Sequence, residues 1–267
     1  IRETDGSFRT IDVPGAVITF IEGINNLGHV VGLFFEGFSG NEHGFVFDGT
    51  RFHTIDFPEA DHTRILGIND AGVIVGNYYS RSGPLHGFIF DGTTFSTFEF
   101  PGITSPVIQD INEAGDIVGY FTSGVNRRSG FLYDGMSFTI IDYPGSPSTE
   151  VFGVNDLGQV VGAYKSPVTY NTISFLWDHG TSETLLLPST LYSVAIAINN
   201  SLEVVGFYDS SSSELISFLA QLCTLEPCVN LLPVPAPEPS TWLLIAPGLL
   251  GLLGYGWRQR NCVAHKD

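Results

Sequence analysis

Apolar residues fall in short runs along most of this chain, and polar turn residues separate them. Arg64 to Ile68, Val73 to Tyr79, Gly87 to Phe90 and Phe95 to Phe100 are four such runs. Each is strand-length, and Asn-Asp-x-Gly or Asp-Gly turns lie between them, a pattern that predicts tight β-hairpins. Several runs are apolar at consecutive positions, as in Val73-Ile74-Val75, which predicts strands covered on both faces. No stretch before Leu222 sustains a 3.6-residue period, so helix is not expected there.

The runs repeat. One block reads GINNLGHVVG from Gly23, GINDAGVIVG from Gly67, DINEAGDIVG from Asp110, GVNDLGQVVG from Gly153 and AINNSLEVVG from Ala197. Its asparagines, Asn25, Asn69, Asn112, Asn155 and Asn199, are 43 or 44 residues apart. A second block reads HGFVFDG from His43, HGFIFDG from His86 and SGFLYDG from Ser129, and weakens in ISFLWDHG and ISFLAQL. A third reads FRTIDVPG, FHTIDFPE, FSTFEFPG and FTIIDYPG, with a weaker fifth copy, TLLLPS, from Thr184. Four strands in each period of this length predict a β-propeller blade. The expected fold is therefore all-β: a five-bladed propeller of four-stranded blades over residues 1–222. The alternatives are an open solenoid or part of a larger propeller. Asp5 to Gly15 matches only the last strand of a unit, and the fifth unit stops near Leu222 after its third strand. Phe8 to Val13 is therefore expected to pair with Ile216 to Leu219 and close the ring, removing the open edges.

A residue present in every unit is expected to be architectural. The repeated Asn suits an Asx turn. Gly28, Gly72, Gly115 and Gly158 suit positive φ. Gly32, Gly76, Gly119, Gly162 and Gly206, inside strands, suit bulges or close packing. Asp48, Asp91 and Asp134 read as turn acids. Calcium in the Asn-Asp turns is the sharper alternative, since it takes oxygen ligands, but the spacing fits no EF-hand loop. No cofactor is otherwise expected. His43 and His86 share a variable strand-start position. No nucleophile elbow, HExxH, P-loop or dinucleotide fingerprint occurs.

The composition shifts after Asn230. Leu231 to Ser240 holds four prolines, and Thr241 to Trp257 follows without a charge, closed by Arg258 and Arg260. Residues 223–240 are expected to be a Cys/Pro-rich linker and 241–260 a transmembrane helix with its arginine cluster. Residues 261–267 would be a cytoplasmic tail. Pro237-Glu238-Pro239, the apolar run and the arginines together resemble the PEP-CTERM sorting signal of Gram-negative bacteria. That resemblance implies an exosortase-type membrane protease as partner. It also implies an inner-membrane precursor and an extracellular or cell-surface product. The repeats resemble the HAF repeats of bacterial extracellular proteins, with a GIN hairpin and an HGF strand; this implies a surface location and no particular reaction. Cys223 and Cys228 are placed to pair in an oxidising compartment, whereas Cys262 would stay reduced.

Net charge then narrows the partners. Acidic residues outnumber basic ones 28 to 11, for a formal charge of −17, which disfavours phosphate backbones and so nucleic acid. Function is expected where the units differ, in the segments leading from one unit to the next. These carry Glu22, Asp61, His62, Arg64, Asp110 and Glu150. If they converge at a channel mouth, they would bind a polar ligand such as extracellular polysaccharide or a cation. The expected function is a non-enzymatic exported binding module; no catalytic residue and no metal site is assigned. The alternative is a glycosidase-like enzyme using two of these carboxylates about 5–10 Å apart.

Overall fold

The computed structural model describes residues 9–37, 40–100, 102–103, 105–187, 191–209, 214–222 and 229–232. It is a β-propeller of five four-stranded antiparallel blades. The first sheet contains β1 (Ile18–Ile24), β2 (Val30–Phe35), β3 (Glu42–Phe47) and β4 (Phe52–Ile55). The second contains β5 (His62–Ile68), β6 (Ile74–Tyr79), β7 (His86–Phe90) and β8 (Phe95–Phe98). The third contains β9 (Val107–Ile111), β10 (Ile117–Gly124), β11 (Arg127–Tyr133) and β12 (Phe138–Ile141). The fourth contains β13 (Thr149–Val154), β14 (Val160–Lys165), β15 (Thr172–Asp178) and β16 (Thr181–Thr184). The fifth contains β17 (Ser193–Ile198), β18 (Glu203–Asp209), β19 (Leu215–Leu222) and β20 (Val229–Leu232). Two compact units divide between Ile117 and Val118.

Strand order within every sheet is the order of the chain, so each blade is a meander closed by short turns. The second strands carry the unbroken apolar runs because both of their faces are covered: Val30, Val31, Val75, Val118, Val160 and Val161 are all almost fully buried. The cores bridge successive sheets. Val31 of β2 packs with Ile65, Ile68, Ile74 and Phe88 of the second sheet, and Val118 of β10 packs with Val151, Val160 and Phe175 of the fourth.

The first strand of a blade is bulged. Its pairing with the second strand slips at Ile21/Gly23, Ile65/Gly67, Val151/Gly153 and Ala195/Ala197. The bulge dictates the in-strand glycines. A Cβ at Gly32, Gly76, Gly162 or Gly206 would run into the carbonyl oxygen of Phe20, Arg64, Glu150 or Val194.

The fifth blade differs from expectation. Its fourth strand is β20, which pairs with β19 from Leu219↔Leu232 to Leu222↔Val229. The propeller thus runs ten residues past Leu222, into the stretch expected to be linker. A hairpin partner next in the chain costs far less closure entropy than one some 200 residues away. Residues 9–13 form no strand, and residues 1–8 lie outside the described set. Ile11 and Val13 are instead buried with Val30, Phe34, Phe45 and Phe47 of the first sheet. The x-Pro segments before the second and fourth blades dock in the same way. Phe57 stacks on Tyr78 at 3.6 Å and Tyr143 on Tyr164 at 3.6 Å. In each case the backbone N–H of the docked residue donates to a threonine at the start of the blade: Val13 to Thr19, Phe57 to Thr63, Tyr143 to Thr149.

Candidate functional site

The repeated turn residues form a structural belt. The Oδ1 of Asn25 accepts the N–H groups of Leu27 and His29 within its own turn. Its Nδ2 donates to the carbonyl of Asn69, the same position one blade on, at 3.0 Å. Asn69 reaches Asn112 at 3.3 Å and Asn155 reaches Asn199 at 3.2 Å in the same way. The next residue forms a second, exposed row: Asn26 N–H and Nδ2 bond Asp70, Asp70 N–H bonds Glu113, and Asp156 bonds Asn200. The acids of these turns accept backbone and side-chain donors, and no group of three His, Cys, Asp or Glu side chains comes together among the described residues.

The Asp-Gly turns are built alike. Asp134 accepts the N–H groups of Met136 and Ser137 and the Ser137 hydroxyl. These bonds, the Ser137 hydroxyl first, hold its pKa down to about 2. Asp48 is depressed further by His53, Arg51 and Thr50.

Of the six residues expected to carry function, only Asp61 precedes its blade; the others lie in first strands, which begin earlier than the apolar pattern indicates. Arg64 of β5 is committed to Glu42 at the start of β3. Its Nε bonds Oε2 at 2.5 Å and its Nη2 bonds Oε1 at 2.6 Å, a bidentate pair. The Tyr79 hydroxyl donates to the same carboxylate at 2.9 Å, and the His62 ring stacks on Tyr79 at 4.3 Å. The backbone N–H of Glu42 donates to His62 Nδ1 at 3.2 Å. Burial alone would raise the Glu42 carboxyl, but the hydrogen bonds and charge of Arg64, with Tyr79 and His62, hold it below the ordinary value. Asp61 accepts the N–H of Arg81 at 2.9 Å.

Glu22 is the bulge residue of β1, between Ile21 and Gly23. Leu66, Phe152 and Ile196 occupy that position in other blades. A bulge re-aims its side chain, and here it is the most variable point of the first strand. Glu22 keeps solvent-exposed surface, yet the protein packed around it raises its carboxyl above the ordinary value, against the opposing charge of Arg64. Asp110 replaces the usual glycine of the GIN block. Its backbone lies against Gly67 of the preceding blade, where an added Cβ would come within 3.2 Å of the Asp110 Cα.

Glu150 of β13 accepts from Arg128 Nη1 of β11 at 2.9 Å. Arg128 corresponds in the repeat to Glu42, and Glu150 to Arg64, so the two ion pairs are the same contact with the charges exchanged. The partners Glu42 and Arg128 were not apparent as site residues in the sequence. The signal that marks them is oppositely charged residues at matching repeat positions, just before the HGF block and three residues before the GIN glycine.

The comparisons agree with this architecture. AofleA from Arthrobotrys oligospora superposes with a TM-score of 0.52 at 12% identity, over 82% of this chain and 74% of that one. The SapL1 lectin in complex with α-methyl fucoside gives 0.52 at 12% identity, over 80% and 79%. No curated protein matches the chain. Residues 235–261 match the PEP-CTERM protein-sorting motif. The chain therefore carries the signal of an exported protein. Pro237, Glu238, Pro239, Arg258, Arg260 and all three cysteines lie outside the described residues. No helix among the described residues is long and apolar enough to cross a membrane.

Proposed function

We propose that the chain is an exported, non-enzymatic binding module of the Gram-negative surface or extracellular matrix. The propeller binds extracellular polysaccharide, and an exosortase releases it from an inner-membrane precursor by processing the C-terminal signal. The observation that carries the binding reading is the use made of the charged residues. Arg64 and Glu150, at matching points of two first strands, are held in inter-blade ion pairs rather than aimed at a common reacting atom. The sorting match supports export, and a lectin among the proteins of like fold makes saccharide the ligand class to test first. The test is co-sedimentation of the full-length protein with insoluble extracellular polysaccharide, with reducing ends assayed in the same tubes. Binding without release of reducing ends is expected.

One observation favours the enzymatic alternative: the raised carboxyl of Glu22 suits a general acid. Release of reducing ends that disappears in Glu22→Gln would replace the binding reading with a glycosidase.

A further inference from the structure

The two equivalent ion pairs are not equally used up. In Glu42–Arg64 both carboxylate oxygens and two guanidinium nitrogens are engaged, and the Glu42 side chain is only 8% exposed. In Arg128–Glu150 a single bond joins the groups, and the side chains are 48% and 28% exposed. Glu150 Oε2 and the Nε and Nη2 of Arg128 have no hydrogen-bond partner among the described residues. A donor edge and an acceptor oxygen therefore stand side by side and open to solvent.

Aromatic rings flank them. The Arg128 guanidinium lies 5.1 Å from the centroid of Tyr120, and Phe152, the bulge residue of β13, meets Tyr120 edge-on at 6.1 Å. Arg128, Glu150, Tyr120 and Phe152 all belong to the second compact unit. At the Glu42–Arg64 pair Tyr79, whose counterpart in the fourth blade is Lys165, donates to the carboxylate and closes it off.

We infer that Arg128, Glu150, Tyr120 and Phe152 form a binding site for a neutral saccharide, an assignment that rests on the binding reading above. A pyranose presents an apolar C–H face and a rim of hydroxyls that both donate and accept. The aromatic rings take the face. The guanidinium donates to one hydroxyl and the carboxylate accepts from its neighbour, both as charge-assisted bonds. The pair has no net charge and the whole chain carries −17, so an anionic polymer is disfavoured.

The test is a glycan array of neutral and anionic oligosaccharides probed with the full-length protein, followed by titration of the best neutral binder. Arg128→Ala and Glu150→Gln are each expected to weaken it about tenfold or more, the scale of a lost charge-assisted bond. Arg64→Ala should lower the melting temperature and leave the affinity unchanged. Hydrogen exchange on the unmodified protein is the control against misfolded variants: saccharide should protect the amides between Tyr120 and Phe152. Saccharide binding that is unchanged in both variants, with no protection there, overturns this site and leaves the binding reading standing. An array with no saccharide bound overturns both. Binding confined to anionic glycans overturns the neutral-saccharide assignment.

Discussion

At the residue scale, Glu42 is the most exacting position in the first compact unit, because its carboxylate is buried and depends on Arg64. Arg64→Ala leaves that charge without its bidentate partner, and about 2–4 kcal/mol of stability is expected to be lost in urea titration. The next interface has Leu85 and Val107 at the same two repeat positions. The double variant Glu42→Leu/Arg64→Val should therefore regain most of the loss; a double variant as weak as Arg64→Ala would refute this account of the pair. The pH dependence has a definite sign. The folded pKa of Glu42 is depressed, so its contribution is full above the unfolded value and is lost as pH falls through the folded one. Glu22 works in reverse: its raised pKa disfavours the fold above the unfolded value. Glu22→Gln should accordingly raise the melting temperature at pH 7, with the gain shrinking toward pH 4. Sequence inspection singled out Arg64 and Glu150 but not their partners 22 residues away, because nothing local to a strand reveals what faces it across a blade boundary.

At the scale of the strand, the third strand of one blade meets the first strand of the next through a size-matched pair. An added Cβ at Gly44 would come within 2.8 Å of Ile65, at Gly87 within 2.6 Å of Ile108, and at Gly130 within 2.5 Å of Val151. Here the HGF glycine is a packing requirement, since the neighbouring strand fills the space a side chain would take. In the fourth blade the glycine becomes Ser174 and the matching first-strand residue shrinks to Ala195; both are fully buried. Ala195→Ile should cost about 1–3 kcal/mol by overpacking. Combining it with Ser174→Gly restores the Gly/Ile pairing of the first two interfaces and should recover most of that cost. A double-mutant cycle measures the coupling, and strict additivity would show that the two positions do not touch. The Ser174 hydroxyl is also buried without a hydrogen-bond partner among the described residues. Ser174→Ala is therefore expected to stabilise by about 1 kcal/mol in thermal or urea melts. The repeated glycines were legible as bulge or close packing. Which glycine did which depended on strand register, and register is a property of pairs of strands.

At the scale of the whole molecule, the blade count was legible because the GIN block recurs in all five blades, whereas the last strand was not. Val229–Leu232 is short and lacks the Ile-Asp-x-Pro mark that follows β4 and β12, so it reads as the start of the proline linker. Its place in the fifth sheet constrains the proposed sorting step. Only residues 233–236 separate Leu232 from Pro237, a span of at most about 18 Å when extended. A protease acting near the motif therefore works close to a folded blade, and a cut before Val229 would strip β20 and leave β19 as an open edge, a template for association. Processing that yields a soluble product must fall after Leu232. Intact-mass analysis of surface material from a host with the exosortase should find a C-terminus beyond residue 232 and no peptide from Trp257-Arg258. Substituting Glu238 should hold full-length protein in the inner membrane. The role of β20 is testable without the protease. A chain ending at residue 236 should elute as a monomer in size-exclusion chromatography, and one ending at residue 228 should self-associate and melt at lower temperature. Equal behaviour of the two truncations would mean that β20 is dispensable, and that the position of the cut is not constrained by the fold.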